Sequence, residues 1–170
     1  MVAKVTALDA LHAEVEARAI VIREENPEWL CGKGCDGCCH QLAEIPRFTR
    51  VEWELLREGL AVLTLDQLNE IGVKITELAK QSFAPVVCPL LDIKQGTCMV
   101  YAQRPVACRT YGFFRQRDMG LYCKDIENRV AQGDWAEVVW GNQDAIDRRL
   151  SVLGDTRALT EWFLLSGSFS

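Results

Sequence analysis

Cys31-Gly32-Lys33-Gly34-Cys35-Asp36-Gly37-Cys38-Cys39-His40 packs four thiols and three glycines into a short stretch and closes on one of the chain's two histidines. Glycines let a backbone fold tightly, and thiols gathered in this way suit a metal ion or an iron–sulfur cluster. Four further cysteines follow at Cys88, Cys98, Cys108 and Cys123, and these complete the chain's eight. Zinc takes four thiolate or imidazole ligands and iron–sulfur clusters are usually held by four cysteines, so the count suits one or two centres.

Within the loop, the close pair Cys35 and Cys38 lets one turn supply two ligands, and the distant cysteines would tie other segments to it. Adjacent side chains in an extended chain diverge, so Cys38 and Cys39 are expected to serve different sites, or one of them none. A helical loop would bring Cys31, Cys35, Cys38 and Cys39 to one face, but Gly32, Gly34 and Gly37 each disfavour a regular helix by about 1 kcal/mol. A single helical turn remains available over residues 37–41. His40 has a better case for ligation than His12, although packing against the loop is the plainer reading. Asp36 reads as a turn residue.

The rest of the composition narrows the class. At 170 residues, with 49% hydrophobic and 25% charged residues, the chain has the profile of one globular domain with room for a core. A net charge of −5 argues against a nucleic-acid partner held by bulk electrostatics. No apolar run approaches the ~20 residues that span a bilayer, and charges interrupt residues 1–28, which leaves no signal-peptide core. A cytoplasmic location follows as the expectation, where thiols stay reduced and metal binding is favoured over four disulfides. No membrane partner is expected, and a protein partner remains open.

Helical periodicity frames the thiols. Leu8, Leu11, Val15, Ala19 and Ile22 recur at spacings of three and four and predict a helix over residues 5–25, which Asn26-Pro27 ends. Thr49-Arg50-Val51-Glu52 and Thr64-Leu65-Asp66-Gln67 are capping-box signatures. They predict helices over residues 50–60 and 65–81, the second with the stripe Leu65, Leu68, Ile71, Ile75 and Leu78. Strand-like residues on either side of Lys94-Gln95-Gly96 predict a short hairpin, and Pro105 starts a helical turn near residues 103–109. Helices are expected over residues 124–131, 135–153 and 156–165.

The second constellation surrounds Cys98 and Cys108. Four thiolates on a zinc ion leave a charge of −2, costly to bury unless donors or cations offset it. Arg104 and Arg109 flank Cys108 for that purpose, with Tyr101 and Tyr111 as hydroxyl donors; both arginines could equally be surface ion-pair residues. No phosphate loop, dinucleotide fingerprint, zinc-protease motif or serine-nucleophile motif competes. His40 beside Cys39 is the one arrangement resembling a nucleophile and base.

At these positions the chain resembles the YkgJ-like cysteine-cluster family, a zinc- or iron-chelating module also called the CxxCxxCC domain. The shared pattern is a tight group ending in a vicinal pair (Cys31, Cys35, Cys38, Cys39), then Cys88-Pro89-Leu90. Gly96-x-Cys98-x-x-Tyr101-x-x-Arg104-Pro105-x-x-Cys108-Arg109 follows, with Cys123 as a further downstream match. The first spacing, Cys31-x-x-x-Cys35, departs from the literal name. The resemblance implies metal binding and leaves the metal open. A similar module occurs in flagellin lysine N-methylases, much longer chains, which keeps a protein-modifying enzyme among the readings.

Together these features predict a single, mainly α domain over residues 1–170. Helices would surround an irregular cysteine-rich metal-binding core with a small β-hairpin, the core at residues 31–123 and the flanking helices at residues 5–26 and 134–165. The metal ligands would be Cys31, Cys35, Cys38, Cys39, Cys88, Cys98, Cys108 and Cys123. For the cofactor, Cys88-Pro89 matches the Cys-Pro ending of bacterial cluster motifs and favours an iron–sulfur cluster, with 4Fe–4S as one type, in a redox or accessory role. Zinc in an adaptor or interaction domain is the alternative.

Overall fold

The computed structural model describes residues 2–167. About half of them are helical, in α1 (Val2–Glu25), α2 (Gly37–His40), α3 (Arg50–Leu60), α4 (Leu65–Leu78), α5 (Val106–Thr110), α6 (Lys124–Ala131), α7 (Gln143–Ser151) and α8 (Leu159–Leu165). The strands are short: β1 (Arg47–Thr49), β2 (Leu91–Asp92), β3 (Thr97–Cys98), β4 (Phe114–Gln116), β5 (Met119–Leu121), β6 (Gly141–Asn142) and β7 (Thr156–Ala158). The chain forms two compact units, each built from two separate segments. Among the described residues, the first takes residues 2–33 and 105–153, and the second residues 34–104 and 154–167.

In the first unit α1 buries the five residues that its periodicity selects, Leu8, Leu11, Val15, Ala19 and Ile22, and packs on α5 and α7. Full burial of a large aliphatic side chain is worth about 1.5–3 kcal/mol, so this stripe anchors the unit. The helix stops where Asn26 turns back, its Nδ2 donating to the Ile22 carbonyl at 2.8 Å ahead of Pro27. β4 pairs antiparallel with β5 and parallel with β6. Gly141 permits the second pairing, because a Cβ there would lie 2.3 Å from the Phe114 ring.

The predicted helix over residues 135–153 is shorter than its periodicity suggests, and the flank at residues 134–165 is broken into β6, α7, β7 and α8. Trp135 sits at a φ of 57°, where a helix cannot start. Its ring is committed to Trp29, 4.5 Å away, in a cluster that also contains Phe113 and Trp140. The guanidinium groups of Arg23, Arg115 and Arg129 stack on Phe113, Trp140 and Trp135.

Two capped helices organise the second unit. The Thr49 hydroxyl accepts from the Glu52 amide while the Glu52 carboxylate accepts from the Thr49 amide, and Thr64 and Gln67 repeat the arrangement at α4. The core joins Phe48, Trp53, Leu56 and Leu60 to Ile71, Ile75, Leu90, Leu91, Val100 and Leu159. Leu65 departs from the predicted stripe: it opens α4 and is 78% exposed, while Ile71, Ile75 and Leu78 are buried. β2 and β3 form the expected hairpin, with Gly96 at a φ of 62° and the Asp92 carboxylate accepting from the Lys94 and Gln95 amides. β1 pairs antiparallel with β7, a pairing that the sequence does not announce.

Candidate metal centre

Each unit receives part of the cysteine set. Cys35, Cys38, Cys39, Cys88 and Cys98 belong to the second, and Cys31, Cys108 and Cys123 to the first.

In the second unit three elements converge. Residues 37–40 close one helical turn, α2, with the Cys39 amide donating to the Asp36 carbonyl at 2.8 Å. The Cys88 amide donates to the Cys39 carbonyl at 2.8 Å, and Leu42 and Val86 bridge next to it. Cys98, on β3, faces Leu91 across the hairpin, and the Leu91 amide donates to the Cys88 carbonyl at 3.1 Å. Backbone hydrogen bonds therefore tie the Cys39, Cys88 and Cys98 segments into one frame.

Side chains complete the grouping. Cys38 neighbours Cys39 and Cys39 neighbours Cys88 closely enough to perturb one another, while Cys98 lies within electrostatic reach of Cys38 and Cys39. The expectation that adjacent side chains diverge rests on an extended backbone. Residues 37–40 instead form the helical turn α2. Cys88 is buried, Cys38, Cys39 and Cys98 are half-buried, and Cys35 is exposed.

Crowding and burial favour the protonated forms of Cys38, Cys39 and Cys98. Donation to Cys39, burial and the field of Cys39 push Cys38 far above the ordinary thiol range. Cys39 is lowered by accepting from Cys38, but its hydrogen bond to Cys88, burial and the fields of Cys88 and Cys98 prevail and push it up to about 12. Burial raises Cys98. The opposing charge is Arg104, which favours the thiolates of Cys38 and Cys98. Its guanidinium lies 3.6 Å over the Tyr101 ring centroid and its Nε donates to the Tyr101 carbonyl at 3.0 Å, in a 3₁₀ turn over Tyr101–Gln103. Tyr101 thus meets Arg104 through its ring face and carbonyl.

The remaining predicted residues sit as follows. His40 Nε2 is 3.0 Å from Asp36 Oδ2. In the first unit the Cys31 thiol donates to the Tyr111 carbonyl at 3.6 Å. Gly112, at a φ of 91°, leaves the space that Cys31 fills, because a Cβ there would lie 2.6 Å from its sulfur. Cys108 is on α5, whose buried residues are Val106 and Thr110, and Cys123 precedes α6. Arg109 acts on His12, whose pKa burial lowers to about 4, with the Arg109 charge adding to the effect and Asp9 opposing it. Among the described residues no three His, Cys, Asp or Glu side chains already stand in an arrangement that could hold a metal ion.

The donor set still fits a soft or borderline metal by its chemistry, because four thiols of one unit sit on segments joined by backbone hydrogen bonds and the Arg104 charge acts on two of them. A binding ion would have to draw these side chains inward. The sequence carries no sign of the backbone bond from the Cys88 amide to the Cys39 carbonyl, which joins two of the cysteine segments.

The sequence model of the CxxCxxCC family, described as "Putative zinc- or iron-chelating domain", matches residues 30–125, more than half of the chain. No curated protein and no solved structure matches.

Proposed function

The chain belongs to the CxxCxxCC family, and on that premise we propose that it is a metal-binding protein whose centre is held by Cys38, Cys39, Cys88 and Cys98. The observation that carries this reading is the convergence of those four thiols in one unit, on segments bonded to one another through the backbone. When bound, the metal would supply cross-linking of three segments and charge to stabilise thiolates otherwise held protonated. Arg104 would offset part of the remaining negative charge, and Tyr101 would hold Arg104 in place.

We read the centre as a single ion, with zinc as the metal, because four thiolates complete a tetrahedral zinc site with no inorganic sulfide required. Zinc–sulfur bonds of about 2.3 Å place tetrahedral ligand sulfurs about 3.8 Å apart. A 4Fe–4S cluster needs its four cysteines spread more widely around a larger body. The function that fits is a zinc-stabilised binding module, in which the centre fixes the loops that a partner would read. An iron–sulfur cluster in a redox role is the competing reading.

Reduced protein prepared without oxygen and analysed for zinc, iron and acid-labile sulfide tests the proposal. The expected protein is colourless and retains zinc, and Cys39→Ser or Cys98→Ser removes one zinc per chain. Cys35→Ser leaves that zinc in place. A brown protein containing iron and sulfide in equal amounts would overturn the zinc reading in favour of the cluster. Folded protein with no metal under any loading condition would overturn both.

A further inference from the structure

A cleft of about 290 Å³ opens on the second unit, and Cys88 lies on its wall. Lys74, Glu77, Pro85, Val87 and Ile93 also line it, and Cys38, Cys39 and Cys98 do not. Cys88 is therefore the member of the thiol group that this opening reaches, and its amide donates to the Cys39 carbonyl at 2.8 Å. The charges around the cleft are unequal in effect. Lys74 is engaged, with Nζ 2.6 Å from Glu70 and donating to the Leu91 carbonyl at 3.1 Å. The Glu77 carboxylate has no hydrogen-bond or ion-pair partner among the described residues, although it and Lys80 share the adjoining groove. An unpaired carboxylate beside a half-enclosed opening raises the local concentration of cations.

We propose that this cleft is the entry route for the metal, with Glu77 drawing in a divalent cation and Cys88 binding it first. The inference rests on the metal-centre reading above. In the loading step the hydrated ion gives up one water and gains a bond to the Cys88 sulfur, while the thiol proton leaves to solvent. No electron is transferred. Cys39, whose carbonyl accepts from the Cys88 amide, is the next thiol in line, followed by Cys38 and Cys98. Glu77 is a positioning residue in this scheme and makes no bond to the finished centre.

Stopped-flow uptake of Zn²⁺ by reduced, metal-free full-length protein, followed through thiolate–metal absorbance, tests the route. Glu77→Gln should lower the uptake rate about threefold to tenfold in dilute buffer, the effect of removing one charge near a dication's path. The difference should vanish near 0.5 M salt, where screening is short-ranged. Ile93 is 59% exposed, so Ile93→Trp should narrow the cleft without disturbing the core and slow uptake at every salt concentration. Neither variant should change zinc stoichiometry, Ile93→Trp should slow zinc release in the same proportion as uptake, and Glu58→Gln, on exposed surface outside the cleft, should behave as wild type. Unchanged uptake in both cleft variants, with zinc still bound by all proteins, overturns the entry route and leaves the metal centre standing. A wild type that takes up no zinc removes the centre and its route together.

Discussion

His12 shows how a residue outside the thiol group still bears on the molecule. It lies on α1 with its Nε2 buried and without a hydrogen-bond partner. Burial and the Arg109 charge hold its pKa at about 4, against 6.5 for a free imidazole. The unfolded chain therefore binds the extra proton first, and folding opposes it. His12 costs no stability above pH 6.5, and the folded state loses stability as pH falls from 6.5 toward 4. The ring is part-exposed, and with solvent screening the loss is on the order of 1 kcal/mol. Urea unfolding at pH 7.5 and pH 5 should show wild type losing about that much more than His12→Gln; equal losses would contradict the assignment. The thiols were legible as residues, because glycine-spaced cysteines have few other uses. Their grouping was not, since whether Cys38 and Cys39 diverge depends on a turn that three neighbouring glycines make hard to foresee.

Among elements, those with a local signal were readable and those made by distant pairing were not. The stripe of α1 and the two capping boxes are written within a few residues of themselves. The β1–β7 pairing joins Thr49 to Thr156 through three-residue strands, too short for any alternation to register. Trp135 escaped notice because nothing local signals a positive φ at a tryptophan. The two capping boxes should differ in weight. Glu52 is buried at 2% exposure and donors from the Thr49 amide and hydroxyl satisfy it, whereas the Thr64–Gln67 box is exposed. Thr64→Ala should cost about 1 kcal/mol, the ordinary worth of a cap. Thr49→Ala should cost about 2 kcal/mol or more, because it also strips a partner from a buried carboxylate. Thermal or urea unfolding of the two variants checks the order, and equal costs would contradict it.

Across the whole molecule, the cysteines of one sequence motif are divided between two compact units, a division that their order along the chain does not reveal. No helix among the described residues is long and apolar enough to cross a membrane. If four thiols of the second unit hold the metal, removing it should loosen that unit first. Hydrogen exchange before and after chelation should show protection lost over α2, residues 86–92 and β3, with α1 retaining its protection. Loss confined to residues 2–33 and 105–153 would place the metal elsewhere.

X-ray absorption at the edge of the bound metal tests the central claim most directly. The account predicts one zinc shell of four sulfurs at about 2.3 Å with no second metal nearby, reduced in sulfur count by Cys88→Ser. Short metal–metal scattering between irons, or a shell dominated by nitrogen and oxygen, would contradict it.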